Sequence, residues 1–178
     1  MSQPPVPNSG TETLRVLVLG ATGAQGGSVA RHLLDSGRFH VRVLTRAPDS
    51  AAAGRLRDAG ADIVRGDFDN RASLRAALRG CRAVFGSTCG LAPKGREIAN
   101  GRNMINAVAG AEVDHFVFST THAELEAYAR SLELPVTVVR VAFGDVAAVE
   151  QLGAMVPSVL DAPASFLDRV IAIAPCSV

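Results

Sequence analysis

Short apolar runs alternate with amphipathic stretches along most of the chain. The first run, Leu14–Leu19, is rich in Val and Leu and ends at Gly20, which is typical of a buried parallel strand. The stretch after it repeats its apolar residues at helical spacing and stops at Gly37. The same pattern predicts strands at 14–19, 40–45, 61–65, 82–86, 113–119 and 135–141. It predicts helices at 27–36, 50–59, 70–79, 95–109 and 121–132.

This alternation indicates an α/β fold built on a doubly wound parallel sheet, with helices on both faces and right-handed crossovers. By analogy with dinucleotide-binding folds, we expect the six strands in the order 3-2-1-4-5-6. The domain that holds the sheet is predicted at 13–145.

The two ends of the chain differ from this pattern. Residues 1–12 contain three prolines and no apolar block, which predicts a flexible arm that is not a signal peptide. Residues 146–178 are apolar but are interrupted by three prolines. They predict one or two short helices, one of them at 164–173, in a tail that serves as a reduced substrate side or as an interface.

Composition excludes several classes of protein. The chain has 178 residues, of which 48% are apolar and 20% charged, so it fits one domain and is too apolar to be disordered. It has no apolar run that could cross a bilayer, and its net charge of +1 gives no case for binding nucleic acid or an anionic membrane. The spacing of Cys81, Cys89 and Cys176 fits neither a disulfide framework nor a metal site, and it favours a cytoplasmic protein without a metal.

Glycines at 20, 23 and 26 carry the clearest chemical signal, because they form G-x-x-G-x-x-G between the first strand and the first helix. A diphosphate brings negative charge close to the backbone, and side chains on the turn would block its approach. The N–H groups and the positive end of the following helix then receive the anion. In this βαβ context the pattern predicts a dinucleotide site, and the alternative is a turn that binds nothing.

The ends of the second and third strands bear on which dinucleotide is bound. NAD sites usually carry an acidic residue after the second strand, but here Thr45-Arg46 is followed by no acid before Asp49. Arg46 can bind a 2′-phosphate with its planar fork, so NADP(H) is favoured over NAD(H). The alternative is an ordinary solvated Arg. Gly66, Asp67 and Phe68 would border the adenine, or else belong to a loop in which Asp69 or Asn70 caps the next helix.

Five stretches resemble the NmrA-like group of atypical short-chain dehydrogenase/reductases, in the family's own order and over roughly residues 14–143. They are GATGAQGGSVARHLL (20–34), VRVLTRAP (41–48), GDFDNRASLRAAL (66–78), EIANGRNMINAVAGAEVDHFVFST (97–120) and ELEAYARSLELPVTVVRVAF (124–143). Known members bind NADP(H) on a Rossmann sheet. Some are redox-sensing regulators, and others look like quinone or related reductases.

The resemblance implies a set of cofactor-binding residues. The diphosphate would be held by Gly20, Thr22, Gly23, Ala24, Gln25 and Gly26, with Thr45 and Arg46 at the 2′-phosphate. Asp67 and Phe68 would lie near the adenine, and the nicotinamide half would run along Gly86, Ser87, Thr88 and Ser119.

The sequence departs from the family at the expected catalytic positions. Members typically place a Lys at the start of the helix after the fifth strand, and here His122 stands in its place. The only Tyr is Tyr128 and residue 132 is Leu, so the Tyr-x-x-x-Lys pair of classical reductases is absent. His122 is therefore the candidate catalytic proton donor, placed as the first residue of a helix that Thr121-x-x-Glu124 caps. The alternative is an exposed residue of that helix's first turn.

Members of the family also continue into a larger substrate-binding portion, whereas only residues 144–178 remain here for that role. We expect a reduced substrate side, or one supplied by another subunit, and the apolar tail fits a homodimer contact.

The sequence favours two alternative functions. The first is an NADP(H)-dependent oxidoreductase acting on a small apolar carbonyl, quinone or aromatic compound, and the second is a non-catalytic module that senses NADP(H). A truncated or decayed chain without independent activity is a third possibility.

Overall fold

The predicted strands form one parallel sheet in the computed structural model, which describes residues 13–88, 95–142 and 144–173. Its strands are β1 Leu14–Leu19, β2 Phe39–Thr45, β3 Asp62–Arg65, β4 Ala83–Ser87, β5 His115–Ser119, β6 Val136–Val141 and β7 Val170–Ile173. The helices are α1 Ala24–Asp35, α2 Ala51–Asp58, α3 Arg71–Leu78, α4 Glu97–Ala109, α5 Ala123–Ser131, α6 Val146–Asp161 and α7 Pro163–Phe166. The arm predicted at 1–12, Cys89 and Cys176 lie outside the described residues.

The strand order is β3-β2-β1-β4-β5-β6-β7, so the predicted order of the first six strands is confirmed and a seventh extends the sheet. Every neighbouring pair is parallel. The chain runs outward from β1 in one direction and then returns to add β4 on the other side of it. This reversal opens a crevice outside the carboxyl ends of β1 and β4, where ligands of such sheets bind.

Each face of the sheet is covered by its own hydrophobic layer. Along β1 the side chains alternate, so that Val16 and Val18 pack under α1 and α6 while Leu17 and Leu19 pack under α3 and α4. All four are almost fully buried. Strands buried on both faces need apolar residues throughout, which is why their runs were recognisable in the sequence.

The segment after β6 differs from its prediction. Its three prolines predicted short helices, including one at 164–173, but α6 runs for 16 residues with Pro157 inside it and 170–173 is strand β7. A proline inside a helix loses one backbone hydrogen bond. The burial of Leu152 and Val156 against α1 offsets that cost, because tertiary packing outweighs local propensity.

Helix α6 lies close to α1 because Gly153 has no side chain. A Cβ on Gly153 would stand 2.3 Å from Oγ of Ser28 and 2.6 Å from Nδ1 of His32, both on α1. The rim of this contact carries an ion pair between Arg31 and Glu150, 2.7 Å apart. The residues after β6 are thus packed against the same helix that follows the glycine loop.

His115 ties the far end of the sheet to α7. The hydroxyl of Thr137 donates to the carbonyl oxygen of Phe166 at 2.7 Å, so the 2.7 Å contact between this hydroxyl and Nε2 of His115 requires a proton on Nε2. Nδ1 then carries a lone pair, and it is buried without a partner in the described structure. Burial lowers the pKa of His115, because an imidazolium there would be poorly solvated.

This shift makes stability depend on pH. Unfolded His115 takes up a proton near its ordinary pKa of about 6.5, whereas the folded residue resists protonation, so stability falls as pH decreases below about 6.5. The slope reaches at most about 1.4 kcal/mol per pH unit, and it ends once the pH passes the lowered folded pKa. We expect His115→Phe to remove this component in urea unfolding between pH 7.5 and 5. His40→Ala, on the exposed face of β2, is the control, and equal slopes for wild type and His115→Phe would contradict the prediction.

Candidate functional site

The β1–α1 loop and the first turn of α1 are in backbone contact. Gly20 adopts a φ of +79°, and its carbonyl accepts from the N–H of Gly23 at 2.9 Å. A Cβ on Gly26 would stand 2.4 Å from the carbonyl oxygen of Gly20 and 2.6 Å from its carbonyl carbon. Because these are backbone atoms, no side chain fits at Gly26. The loop therefore turns tightly and leaves its outer surface open.

The start of α1 presents an unneutralised positive helix end. The cap residue Gly23 has no side chain with which to cap the helix, and the first turn carries no acidic residue. The first N–H groups of a helix lack partners within it, and they carry about half a positive charge together. This end is suited to an anion.

A cavity of about 440 Å³ covers the loop and the carboxyl ends of β1, β2 and β3. It brings together eleven of the predicted cofactor residues, from four separate parts of the chain. They are Gly20, Thr22, Gly23, Ala24, Gln25, Gly26, Thr45, Arg46, Asp67, Phe68 and Ser87. The wall also includes Gly66, which the sequence places with Asp67 and Phe68 after β3. Sequence reasoning missed other lining residues, among them Ser50 and Ala52.

The corner of this cavity at β2 has a basic rather than an acidic group. Arg46 is exposed and lines the cavity, and no hydrogen bond or ion pair of its side chain occurs among the described residues. Asp49 is absent from the lining and pairs instead with Arg65, 3.2 Å away. Thr45 is buried, and its hydroxyl accepts from the N–H of Ala47 at 3.2 Å, which fixes the turn that carries Arg46.

Beneath the loop, three buried polar side chains join three segments of the chain. The hydroxyls of Ser87 on β4 and Ser119 on β5 both donate to Oε1 of Gln25, each at 2.7 Å. Ser119 and Gly86 are buried and line neither cavity described here. A Cβ on Gly86 would stand 3.1 Å from the ring of Phe116, so packing explains this glycine.

A second cavity, of about 1340 Å³, adjoins the first and shares the wall from Thr22 to Gln25. One part lies at the carboxyl ends of β4, β5 and β6, and the other extends along α1, α2 and α6. Thr88 and His122 line it with the apolar residues Val141 and Val149. The site thus has a small polar compartment over the loop and a larger, more apolar one beside it.

His122 is half-buried and faces the second cavity. The backbone N–H of His122 donates to the hydroxyl of Thr120 at 3.1 Å. The same hydroxyl also contacts the hydroxyl of Thr88 at 3.0 Å. The predicted capping box of Thr121 and Glu124 is wrong, because α5 begins at Ala123 and His122 itself is the cap residue, without a side-chain capping bond. The hydroxyl of Thr120, rather than that of Thr121, accepts a backbone hydrogen bond in the turn before α5.

Tyr128 lies away from both cavities. Its hydroxyl donates to Oδ1 of Asn106 at 2.7 Å, and the guanidinium of Arg102 lies 4.8 Å from the centre of its ring. The ring is partly buried against the layer under α4 and α5. Tyr128 is therefore a packing residue, as its place on the apolar stripe of the helix predicts.

The described residues contain neither a metal-binding cluster nor a membrane-spanning helix. Within residues 13–88, 95–142 and 144–173, no three His, Cys, Asp or Glu side chains are grouped so that they could hold a metal ion. Over the same residues, none of the helices combines the length and the apolar character that a membrane crossing requires. Cys81 is buried and unpaired, and burial raises the pKa of its thiol.

Residues 12–137 match the model of the NmrA-like family. The chain belongs to this family. An NmrA-like family domain-containing oxidoreductase of Cladobotryum sp, FrzB, is 41% identical over 114 residues, which are 61% of this chain and 34% of the relative. A second oxidoreductase of this description, notA of an Aspergillus species, is 44% identical over 112 residues, or 59% of this chain and 33% of the relative. The chain thus spans about a third of the length of these relatives.

Solved structures share the fold at low identity. NmrA, a negative transcriptional regulator, superposes with a TM-score of 0.78 over 90% of this chain and 66% of its own, at 18% identity. Triphenylmethane reductase of Citrobacter sp., complexed with NADP(H), has a TM-score of 0.74 over 88% of this chain and 68% of its own, at 19% identity. NmrA has been solved with NADP and also with NAD.

Proposed function

We propose that this NmrA-like chain binds NADP(H) in the cleft formed by the two cavities. We further propose that it is the cofactor-binding part of an oxidoreductase, which transfers hydride between NADPH and a small apolar carbonyl, quinone or aromatic compound. One observation carries the proposal: the loop packs so tightly on α1 that Gly26 has no room for a side chain, and the cavity above it ends on a free helix N-terminus. A diphosphate needs this combination of close backbone and positive helix end.

The two compartments fit the two halves of a dinucleotide. The adenosine half, with its 2′-phosphate at Arg46, belongs at β2 and β3, and the nicotinamide half belongs at β4 and β5. The dinucleotide complexes of NmrA and triphenylmethane reductase support this arrangement, and the relatives named as oxidoreductases support hydride transfer. The preference for NADP over NAD rests on Arg46 alone, since NmrA is seen with both.

When bound, the reduced nicotinamide supplies the hydride. Reduction of a carbonyl or quinone oxygen also consumes a proton, and His122 lines the cavity at the end of β5. The carboxyl side chains of Glu97 and Asp145 line the same cavity. The contact between its N–H and the hydroxyl of Thr120 fixes its backbone. Val141, Ala142 and Val149 contribute apolar surface to this cavity, which suits an apolar substrate.

Cofactor binding can be tested at Gly26. At 100 times its dissociation constant, NADPH should stabilise the wild-type protein by about 2.7 kcal/mol, which raises Tm by about 5–11 °C. Gly26→Ala should lose this shift, because the new Cβ drives the loop away from α1. Gly54→Ala is the matched control: it adds the same methyl group inside α2, where a Cβ meets nothing within 4 Å. A wild-type protein that neither NADPH nor NADH stabilises would refute the proposal.

The role of Arg46 can be measured separately. Arg46→Ala should weaken NADPH binding by a factor of about 10–100 and leave NADH within about twofold, because only NADPH carries the 2′-phosphate that the guanidinium would bind. Calorimetric titration gives both affinities. Arg75→Ala, on the exposed side of α3, controls for the loss of one positive charge. Equal weakening of both cofactors would show that Arg46 does not select between them.

The catalytic role of His122 predicts a split between binding and turnover. His122→Ala should lower the rate of NADPH oxidation with a panel of quinones by a factor of about 10²–10⁴, with NADPH affinity unchanged, because only proton transfer is removed. His40→Ala should react like wild type. Unchanged turnover in His122→Ala would exclude the residue as the proton donor.

A second candidate function is a non-catalytic module that senses NADP(H). It is favoured by Tyr128, the only Tyr, whose hydroxyl is bound to Asn106 outside the cleft, and by the missing Lys four residues after it. The fold neighbour NmrA, a negative transcriptional regulator, supports the same view. Sensing requires a difference in the free energy with which the two cofactor forms bind.

This alternative is tested by titrating NADP+ and NADPH into the same protein. A sensor should bind one form about tenfold or more tightly than the other, which corresponds to about 1.4 kcal/mol of differential free energy. Circular dichroism or proteolysis then reports whether the two complexes differ. Equal affinities would leave nothing to drive a switch, and turnover with any quinone would favour the enzyme.

A further inference from the structure

The contact of Gln25 with Ser87 and Ser119 fixes which way the Gln25 side chain points. Ser119 is 0% exposed, and Oε1 of Gln25 is its only side-chain hydrogen-bond partner within the described parts of the chain. A buried hydroxyl proton needs an acceptor, and a carboxamide offers one only at its carbonyl oxygen. The oxygen of Gln25 therefore faces the two serines, and its NH2 group faces away from them.

The NH2 group of Gln25 is directed to the cleft. Gln25 lines both cavities at the wall that they share. It is nine-tenths buried, and no partner of its Nε2 occurs among residues 13–88, 95–142 and 144–173. Nδ1 of His115 is the only fully buried side-chain nitrogen or oxygen without a partner in these residues, so Nε2 lies at the cavity surface. Two N–H donors thus meet the cleft at the junction of its compartments.

We infer that Ser87 and Ser119 are positioning residues, which hold the Gln25 amide so that it donates to the nicotinamide half of a bound dinucleotide. The acceptor is an oxygen of the phosphate on the nicotinamide side, or of the ribose attached to it, and adenosine 2′,5′-bisphosphate lacks both groups. Gln25 serves that half because its serine partners come from β4 and β5, on the other side of β1 from Arg46. This inference rests on the proposed dinucleotide binding.

The arrangement gives Ser119 an indirect role. A hydroxyl at the end of β5 stands close to where a substrate would react, yet Ser119 is fully buried and lines neither cavity. It acts only through Gln25. Loss of its hydroxyl removes one of the two bonds that hold the amide and leaves only the bond from Ser87. Ligand binding must then order the amide further, while no direct ligand contact is removed.

Ser119→Ala tests this with two ligands. One is NADPH, and the other is adenosine 2′,5′-bisphosphate, which keeps the adenosine half but lacks the nicotinamide half. We expect NADPH to bind about 3–10 times more weakly to Ser119→Ala than to wild type, in keeping with the loss of one neutral hydrogen bond, and the fragment to bind within about twofold. Thr137→Val is the matched control. It removes another fully buried hydroxyl, from β6, and should leave both affinities unchanged.

A second measurement does not depend on a variant that might unfold. In ¹⁵N-labelled wild-type protein, the side-chain NH2 signals of Gln25, identified by their loss in Gln25→Met, should shift when NADP+ is added and stay in place with adenosine 2′,5′-bisphosphate. Unmoved signals, wild-type NADPH affinity in Ser119→Ala, or equal weakening of both ligands would each overturn the inference. If the wild-type protein binds neither NADPH nor NADH, the proposed function itself fails, which is a distinct outcome.

Discussion

The contact between the loop after β1 and the first turn of α1 is the constraint on which the site depends. Gly26 lies against the carbonyl group of Gly20 with no space for a side chain, so the loop is held tightly at the positive end of the helix. The rest of the molecule supports this contact from both sides. Helix α6 packs on α1 through Gly153, and Gln25 joins the same turn to the ends of β4 and β5.

The parts of the fold that could be predicted from the sequence are those determined by local pattern. Strands buried on both faces need unbroken apolar runs, and a phosphate-binding turn needs glycines at fixed spacing, so β1 and the loop followed from the sequence. The order of the first six strands came instead by analogy with dinucleotide-binding folds. Eleven of the fourteen predicted cofactor residues line one cavity, because the carboxyl ends of parallel strands meet at one edge of the sheet.

The features that were missed depend on contacts between distant segments. A proline normally ends a helix, and the burial of Leu152 and Val156 against α1 offsets this tendency in α6. Strand β7 is too short to be told from a helix by periodicity, and its pairing with β6 decides its form. His122 is a cap residue because the hydroxyl of Thr120 reaches its N–H, which no spacing of Thr121 and Glu124 reveals.

The junction of Gln25 with its two serines also bears on how the protein reaches its native state. The partners lie 62 and 94 residues from Gln25 along the chain, so closing these two bonds requires β1, β4 and β5 to be in place together. Contacts of such long range are expensive in chain entropy and form late. A nascent chain that lacks β5 could therefore form the glycine turn without forming the complete ligand site. Affinity for the ligand would then appear only once β5 has joined the central sheet.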